Sequence, residues 1–106
     1  MCMEDLRIGR RTSSRTGFQA INTTAAEIVP ASPYRVALII TAPQAVRVTL
    51  GNNSQIVLDN GITIVSSGGP LYLDLATHGD VVRLPWYGIS TSAGVVGYIE
   101  VLLAEE

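Results

Sequence analysis

The spacing of turn-forming residues is the feature that most constrains how this 106-residue chain can fold. From Phe18 onward, short segments rich in apolar and β-branched residues alternate with segments rich in Pro, Gly, Asn, Asp and Ser. Turn signals about every 8–12 residues, without a helical period between them, are typical of sandwiches and barrels. We therefore expect an all-β domain at residues 18–106, an antiparallel β-sandwich of about eight strands resembling a jelly roll.

The same turn-forming segments set the predicted limits of the individual strands. The run YRVALIIT is continuously apolar in its centre, which predicts burial on both faces or one face against a partner. Pro85 interrupts a later run and indicates an edge or a bulge. The predicted strands are residues 18–29, 34–41, 46–50, 55–58, 62–65, 71–75, 81–87 and 95–103.

Residues 1–17 show neither strand nor helix periodicity, and we expect them to form an extended basic N-terminal arm. Residues 1–15 contain four arginines and two acids, a net +2, whereas residues 16–106 contain three arginines and seven acids, a net −4. The candidate interface residues of the arm are Arg7, Arg10, Arg11 and Arg15. They could be solvated, could dock on an acidic protein neighbour through bidentate contacts with carboxylates, or could contact phosphates. Nucleic acid is the least favoured partner because the body is acidic and no aromatic residues interleave with these arginines.

Low charge is the second unusual property of the chain. Apolar residues make up 47% of it and charged residues only 15%, against about 25% charged in ordinary soluble domains. A surface with so few charges favours association, so we expect a homo-oligomer in which the apolar strands 34–41 or 95–103 pair as sheet edges. The alternative is a monomer covered by Ser, Thr, Asn and Gln.

Catalytic and metal-binding patterns are not found in the sequence. There is one histidine and one cysteine, too few for a structural zinc site, and His78 lies in a predicted turn without a nucleophile motif. Asp59, Asp74 and Asp80 could bind calcium if they faced one end of the sandwich, but no D-x-D-x-D-G run supports this. We therefore expect no enzyme activity, no catalytic residue, no metal and no cofactor.

The one aromatic pair, Trp86-Tyr87, allows two interpretations. On an exposed loop these rings could stack on a sugar or anchor a protein interface. Alternatively, Trp86 packs on the hydrophobic core.

The N-terminal segment and the apolar runs bear on localisation. Acidic residues at positions 4 and 5, with no long apolar run following, do not fit a signal peptide. The longest apolar run, residues 36–40, is far shorter than a membrane span. We expect synthesis in the cytoplasm and no membrane association.

The stretch IVPASPYRVALII at residues 28–40, a proline turn leading into an R-x-x-L-x-I strand, resembles a pattern of small tailed-phage virion proteins. A Gly-Gly-Pro turn into L-x-L-x-L and a closing apolar strand at residues 98–102 extend the resemblance, which covers residues 28–103. In size and build the chain is most similar to head decoration, or cement, proteins.

That resemblance implies a compact sandwich, often trimeric, that clamps capsid subunits from outside with an arm laid on the shell. It implies a virion location, the major capsid protein or another virion protein as partner, and no catalytic residues. The alternative is a glycan- or receptor-binding module of a phage fibre or tail.

Overall fold

The computed structural model of the protein describes residues 12–42, 46–58 and 60–103. Eight antiparallel strands form two four-stranded sheets packed as a sandwich, which confirms the predicted fold class. A one-turn helix α1 (Leu75–His78) and two short 3₁₀ helices, Ser66–Gly68 and Gly79–Arg83, lie between strands. The strands are β1 (Thr12–Ile21), β2 (Ala26–Val29), β3 (Arg35–Thr41), β4 (Val48–Gly51), β5 (Ile62–Ile64), β6 (Leu71–Asp74), β7 (Trp86–Ser90) and β8 (Gly94–Leu103).

The strand order is that of a jelly roll. One sheet has the order β1-β8-β3-β6 and the other β2-β7-β4-β5. The first strand pairs with the eighth, the second with the seventh, the third with the sixth and the fourth with the fifth. This is the pairing of one long hairpin rolled up on itself, with β3–β8 and β4–β7 contacts closing the two sheets.

The core lies between the sheets and is built from alternate residues of both. Leu38, Ile40 and Val96 come from one sheet, and Val48 and Leu50 from the other; all five are fully buried. Burying a side chain of this kind stabilises the fold by about 1.5–3 kcal/mol before conformational entropy is counted. No helix in the described part of the chain has the length and apolarity to cross a membrane.

The predicted strand 18–29 is wrong as a single element, because the structure divides it into β1 and β2. The Asn22 side chain accepts a hydrogen bond from the Thr24 amide at 2.8 Å, a turn that asparagine favours. The Asn22 carbonyl meanwhile accepts from the Ser90 amide at 2.9 Å. The chain thereby leaves one sheet and joins the other.

The predicted strand at residues 55–58 is also wrong. Asn53 accepts hydrogen bonds from the Gln55 amide through its side chain and from the Ile56 amide through its carbonyl, which folds a turn. Ile56, which is buried, lies close to Gly51 and Gly61, so this loop packs over the outside of β4. The predicted number of eight strands is still correct, because residues 18–29 contribute to two strands and residues 55–58 to none.

Residues 81–87 do not form one strand. The 3₁₀ helix Gly79–Arg83 occupies their first half, and β7 begins only at Trp86. The preceding helix α1 is capped by Asp74, whose carboxylate accepts a hydrogen bond from the Thr77 amide at 2.7 Å.

The boundary between arm and sandwich lies earlier than residue 17. Thr12 to Gly17 belong to β1 and pair with Leu103 to Tyr98 of β8, while residues 1–11 lie outside the described part. The expectation that strands 34–41 or 95–103 are sheet edges is wrong, because β3 and β8 both have a neighbour on each side. Their backbones are used within the sheet, so only their side chains can meet a partner.

Candidate functional site

The sheet β1-β8-β3-β6 presents an apolar surface to solvent. Since Leu38, Ile40 and Val96 point into the core, strand alternation turns the intervening residues outward. Register then aligns these residues in rows: Ile99 is opposite both Thr16 and Ile39, and Ile39 is opposite Tyr72. The outer face, as we call it, consists of Ser14, Thr16, Phe18, Ala20, Ala37, Ile39, Thr41, Tyr72, Asp74, Val95, Gly97, Ile99, Val101 and Leu103.

Large apolar side chains on the outer face are well exposed: 77% for Phe18, 51% for Tyr72, 49% for Val95 and 39% for Ile99. The only charged member, Asp74, lies at the end of the edge strand β6 and caps α1. Scattered exposed apolar residues are normal, but contiguous uncharged patches on one rigid face mark interaction sites. The outer face is therefore the candidate functional surface.

A shallow groove of about 220 Å³ crosses the outer face. Its existence depends on Gly97, which has no side chain and whose row neighbours are Phe18 and Thr41. A methyl group at Gly97 would come within 3.1 Å of the Thr41 hydroxyl, so even alanine would narrow the groove. The lining residues are Thr16, Gly17, Ile39, Thr41, Gly97, Tyr98 and Ile99.

On the opposite, inner side of the same sheet lie three charged residues, Arg15, Arg35 and Glu100. The Glu100 side chain is 2% exposed, and its Oε1 lies 3.2 Å from Nη1 of the fully buried Arg35. Register places Glu100 opposite the core residue Leu38. A bulge between Arg35 and Ala37 shifts the alternation by one residue, and this turns Arg35 inward.

Arg35 ties two connections to the sheet, the one between β2 and β3 and the one between β6 and β7. Its guanidinium donates to the carbonyls of Val82 at 2.7 Å, Leu84 at 2.7 Å and Pro30 at 2.9 Å. Burial lowers the pKa of Arg35, while the Glu100 carboxylate opposes that shift. An arginine nevertheless stays protonated, so a permanent charge with satisfied donors holds this end of the sandwich together.

The structure places one of the four predicted arm arginines. Arg15 lies on β1, and its Nη2 is 3.3 Å from Glu100 Oε1 although its side chain is 61% exposed. Arg15 is thus the solvent-exposed member of the Arg15–Glu100–Arg35 cluster, and it belongs to the sandwich. Arg7, Arg10 and Arg11 lie outside the described residues.

Of the predicted aromatic pair, Trp86 is a core residue. Its side chain is buried, and its indole Nε1 donates to the Val81 carbonyl at 3.2 Å. Trp86 therefore cannot stack on a sugar in this conformation, and the core interpretation holds. Tyr87 is half-buried and points to the opposite face of its strand, where Glu27 and Gly51 are its register partners.

The three aspartates considered as calcium ligands, Asp59, Asp74 and Asp80, do not form a calcium site within the described residues. Asp59 lies outside the described residues, and Asp74 caps α1. The Thr77 hydrogen bonds hold the pKa of Asp74 below its usual value. Within residues 12–42, 46–58 and 60–103, no three His, Cys, Asp or Glu side chains group as a metal site would need.

A second groove, of about 260 Å³, is polar and lies at the end of β4, between Gly51 and the loop that follows it. Carboxamide side chains dominate its lining, and Asn52 also donates to the Pro85 carbonyl at 3.0 Å. Tyr87 is the register partner of Gly51, one of the lining residues. The lining is completed by Asn52, Asn53, Gln55, Ile56 and Asn60.

Comparisons of the chain with models of protein families, with curated proteins and with solved structures gave no match.

Arg35, Glu100 and the outer face as a unit were not predicted from the sequence. The available signal was a charged residue inside each of two strongly apolar strands, in a chain with only 15% charged residues. A charge at such a position is costly unless it is paired, which could have suggested a buried ion pair.

Proposed function

We propose that this protein is a structural component of a virus particle, a decoration or cement protein that binds the outside of the capsid shell. The observation that carries the proposal is the outer face, which has no charge except Asp74 at its rim and is well suited to burial against a neighbouring protein of the particle, including another copy of this chain. The jelly-roll sandwich and the resemblance at residues 28–103 support the same class of function.

Such a protein works by burial on a rigid surface. Each Å² of apolar area removed from water contributes about 25 cal/mol, although association costs offset much of this gain. The outer face is built on two central strands, β3 and β8, and the Arg35–Glu100 pair ties this sheet to its connections. A surface that is already ordered loses little conformational entropy on binding.

The basic N-terminal segment supplies the second contact. With Arg15 engaged by Glu100, the proposed shell contacts are Arg7, Arg10 and Arg11. Acidic patches on the major capsid protein, or on another virion protein, would complement them. Association through the outer face would present several arms together and raise their combined affinity.

Co-sedimentation with purified shells of the virus that encodes the chain tests this proposal. We expect saturable binding that weakens as salt is raised, because exposed charge contacts are screened. Replacing Arg7, Arg10 and Arg11 by glutamine should lower the affinity several-fold, whereas Arg47→Gln, a body variant, should not. No binding at low salt, or equal loss in both variants, would contradict the proposal.

The polar groove beside β4 favours a second candidate function, glycan binding by a fibre or tail module. Carboxamides that donate and accept hydrogen bonds are suited to sugar hydroxyls. Tyr87 is the register partner of Gly51, which also lines the groove. A glycan array with wild type, Asn53→Ala and Tyr87→Ala tests this function. A saturable signal lost in both variants would support it, and no signal from wild type would remove it.

A further inference from the structure

We propose that a second copy of this chain covers the outer face, in a two-fold, face-to-face dimer in which Phe18 of each copy enters the groove above Gly97 of the other. The inference rests on the part of the proposed function in which the sandwich associates, and it names the surface, the occupant and the symmetry.

Shape is the first argument. The most exposed large apolar side chain on the described surface, Phe18 at 77%, projects from the same face that carries the groove. The groove volume of about 220 Å³ is sufficient for a phenyl ring. Because projection and groove share one face, two copies related by a two-fold axis can fill both grooves at once.

Charge is the second argument. In the sheet β1-β8-β3-β6, Arg15, Arg35 and Glu100 lie on the inner side, and the only outer charge is Asp74 at the rim. A face without central charges meets its own copy without like-charge repulsion. A strongly charged partner, by contrast, would find no complementary group at its centre.

Area is the third argument. Strand rise and strand spacing give this sheet a projected area on the order of 500–600 Å² before side-chain relief is added. A stable interface of standard size buries roughly 800 Å² on each partner. Two such faces together would bury on the order of 1,000–1,200 Å², which is below the standard size but reaches the roughly 1,000 Å² that a specific interface needs. The apolar character of the outer face matches the centre of such interfaces.

Geometry also separates this pairing from a ring of three. A single face that meets its own copy across a two-fold axis is used up by one neighbour, so further copies would need another surface. The trimer implied by the resemblance would therefore not be built through the outer face alone.

The test is the oligomeric state of the purified full-length protein, by sedimentation equilibrium, without shells present. We expect a dimer that Phe18→Asp dissociates by at least about 30-fold in Kd, as for an interface hot spot. Gly97→Val keeps the face apolar but fills the groove, and it should also weaken the dimer at least tenfold. Val57→Asp is the control, since Val57 is 53% exposed and lies off this face.

Unfolding midpoints of all four proteins establish that each variant folds. A monomer at all concentrations, a trimer, or a dimer unaffected by Phe18→Asp would overturn the inference. Shell binding by a monomeric wild type would leave the proposed function standing without this dimer. A dimer with the expected variant pattern but no affinity for shells would leave the dimer standing alone.

Discussion

Arg35 and Glu100 form an ion pair inside the sandwich, with Nη1 3.2 Å from Oε1 and both side chains withdrawn from water. Glu100 also forms an ion pair with Arg15 of the edge strand β1. One carboxylate on β8 therefore links β1 with the central strand β3. The pair places permanent charges behind a sheet face that carries almost none. Removing Glu100 would leave Arg35 uncompensated in the interior, and removing Arg35 would leave Glu100 with only its contact to the exposed Arg15.

Replacing Arg35 by methionine should lower the free energy of unfolding by about 3–5 kcal/mol, the usual cost of breaking a buried pair. Arg15→Met is the matched control: its exposed contact with the same carboxylate should be worth no more than about 1 kcal/mol. Urea unfolding followed by the fluorescence of the buried Trp86 measures both. Equal losses in the two variants would show that burial of Arg35 has no special role.

Replacing both partners tests whether the charges act as a pair. Arg35→Met with Glu100→Leu should cost less than the sum of the two single changes by about 1–3 kcal/mol, because no unpaired charge remains. The double variant should still be less stable than wild type, since three carbonyls lose the Arg35 donors. A double-mutant cycle of unfolding free energies gives the coupling, and simple additivity would contradict the pairing.

Gly88 leaves the space that two core side chains occupy. A methyl group there would lie 2.7 Å from Ile21 Cδ1 and 2.8 Å from Ile28 Cδ1. Gly88→Ala should therefore destabilise the protein by about 1–3 kcal/mol through overpacking. Ile28→Val, which removes one of the two methyl groups, normally costs about 0.5–1.5 kcal/mol. In the Gly88→Ala background, Ile28→Val should cost less or even stabilise the protein. Thermal unfolding of wild type, the two single variants and the double variant measures the difference.

Asp74 should contribute an acid-dependent part of the stability. Hydrogen bonds from Thr77 lower its pKa in the folded state, so the contribution is complete above the unfolded-state pKa of about 3.9. It is lost as the pH falls through the lower folded-state pKa, when the carboxylate is protonated. NMR titration of the side-chain carboxyl should show the lowered pKa, and Asp74→Ala should flatten stability against pH below about 4. An equal effect from Asp80→Ala, in the following 3₁₀ helix, would contradict this assignment.

Much of the fold could be predicted because the signals were local. The apolar run of β3 and the closing strand β8 were found within a residue of their ends. Errors arose where one side chain changed the local structure, as Asn22 does by dividing the first strand and Asp74 by capping a helix. Residues 55–58 have strand-like composition, but hydrogen bonds to Asn53 fold them into a turn.

The candidate site was harder to predict because it depends on register and on a bulge. In β8 both alternating sets of residues are largely apolar, and the set that contains Glu100 is the one that faces the core, so the sequence favours the wrong face. The inward position of Arg35 depends on one extra residue in β3, which no sequence pattern marks. That Phe18 shares a face with Ile39 and Tyr72 follows only from strand order, which connects residues distant in sequence.

In the proposed function, neighbours cover the outer face of this sandwich. Hydroxyl-radical footprinting of the full-length protein over a range of concentrations tests it directly, with Phe18 and Tyr72 as reporters. Tyr87, which is half-buried and lies on the other sheet, pointing away from the core, is the internal control. We expect oxidation of Phe18 and Tyr72 to fall several-fold as the protein associates while Tyr87 keeps its rate. Unchanged oxidation of Phe18 and Tyr72 at the highest concentration would contradict the claim.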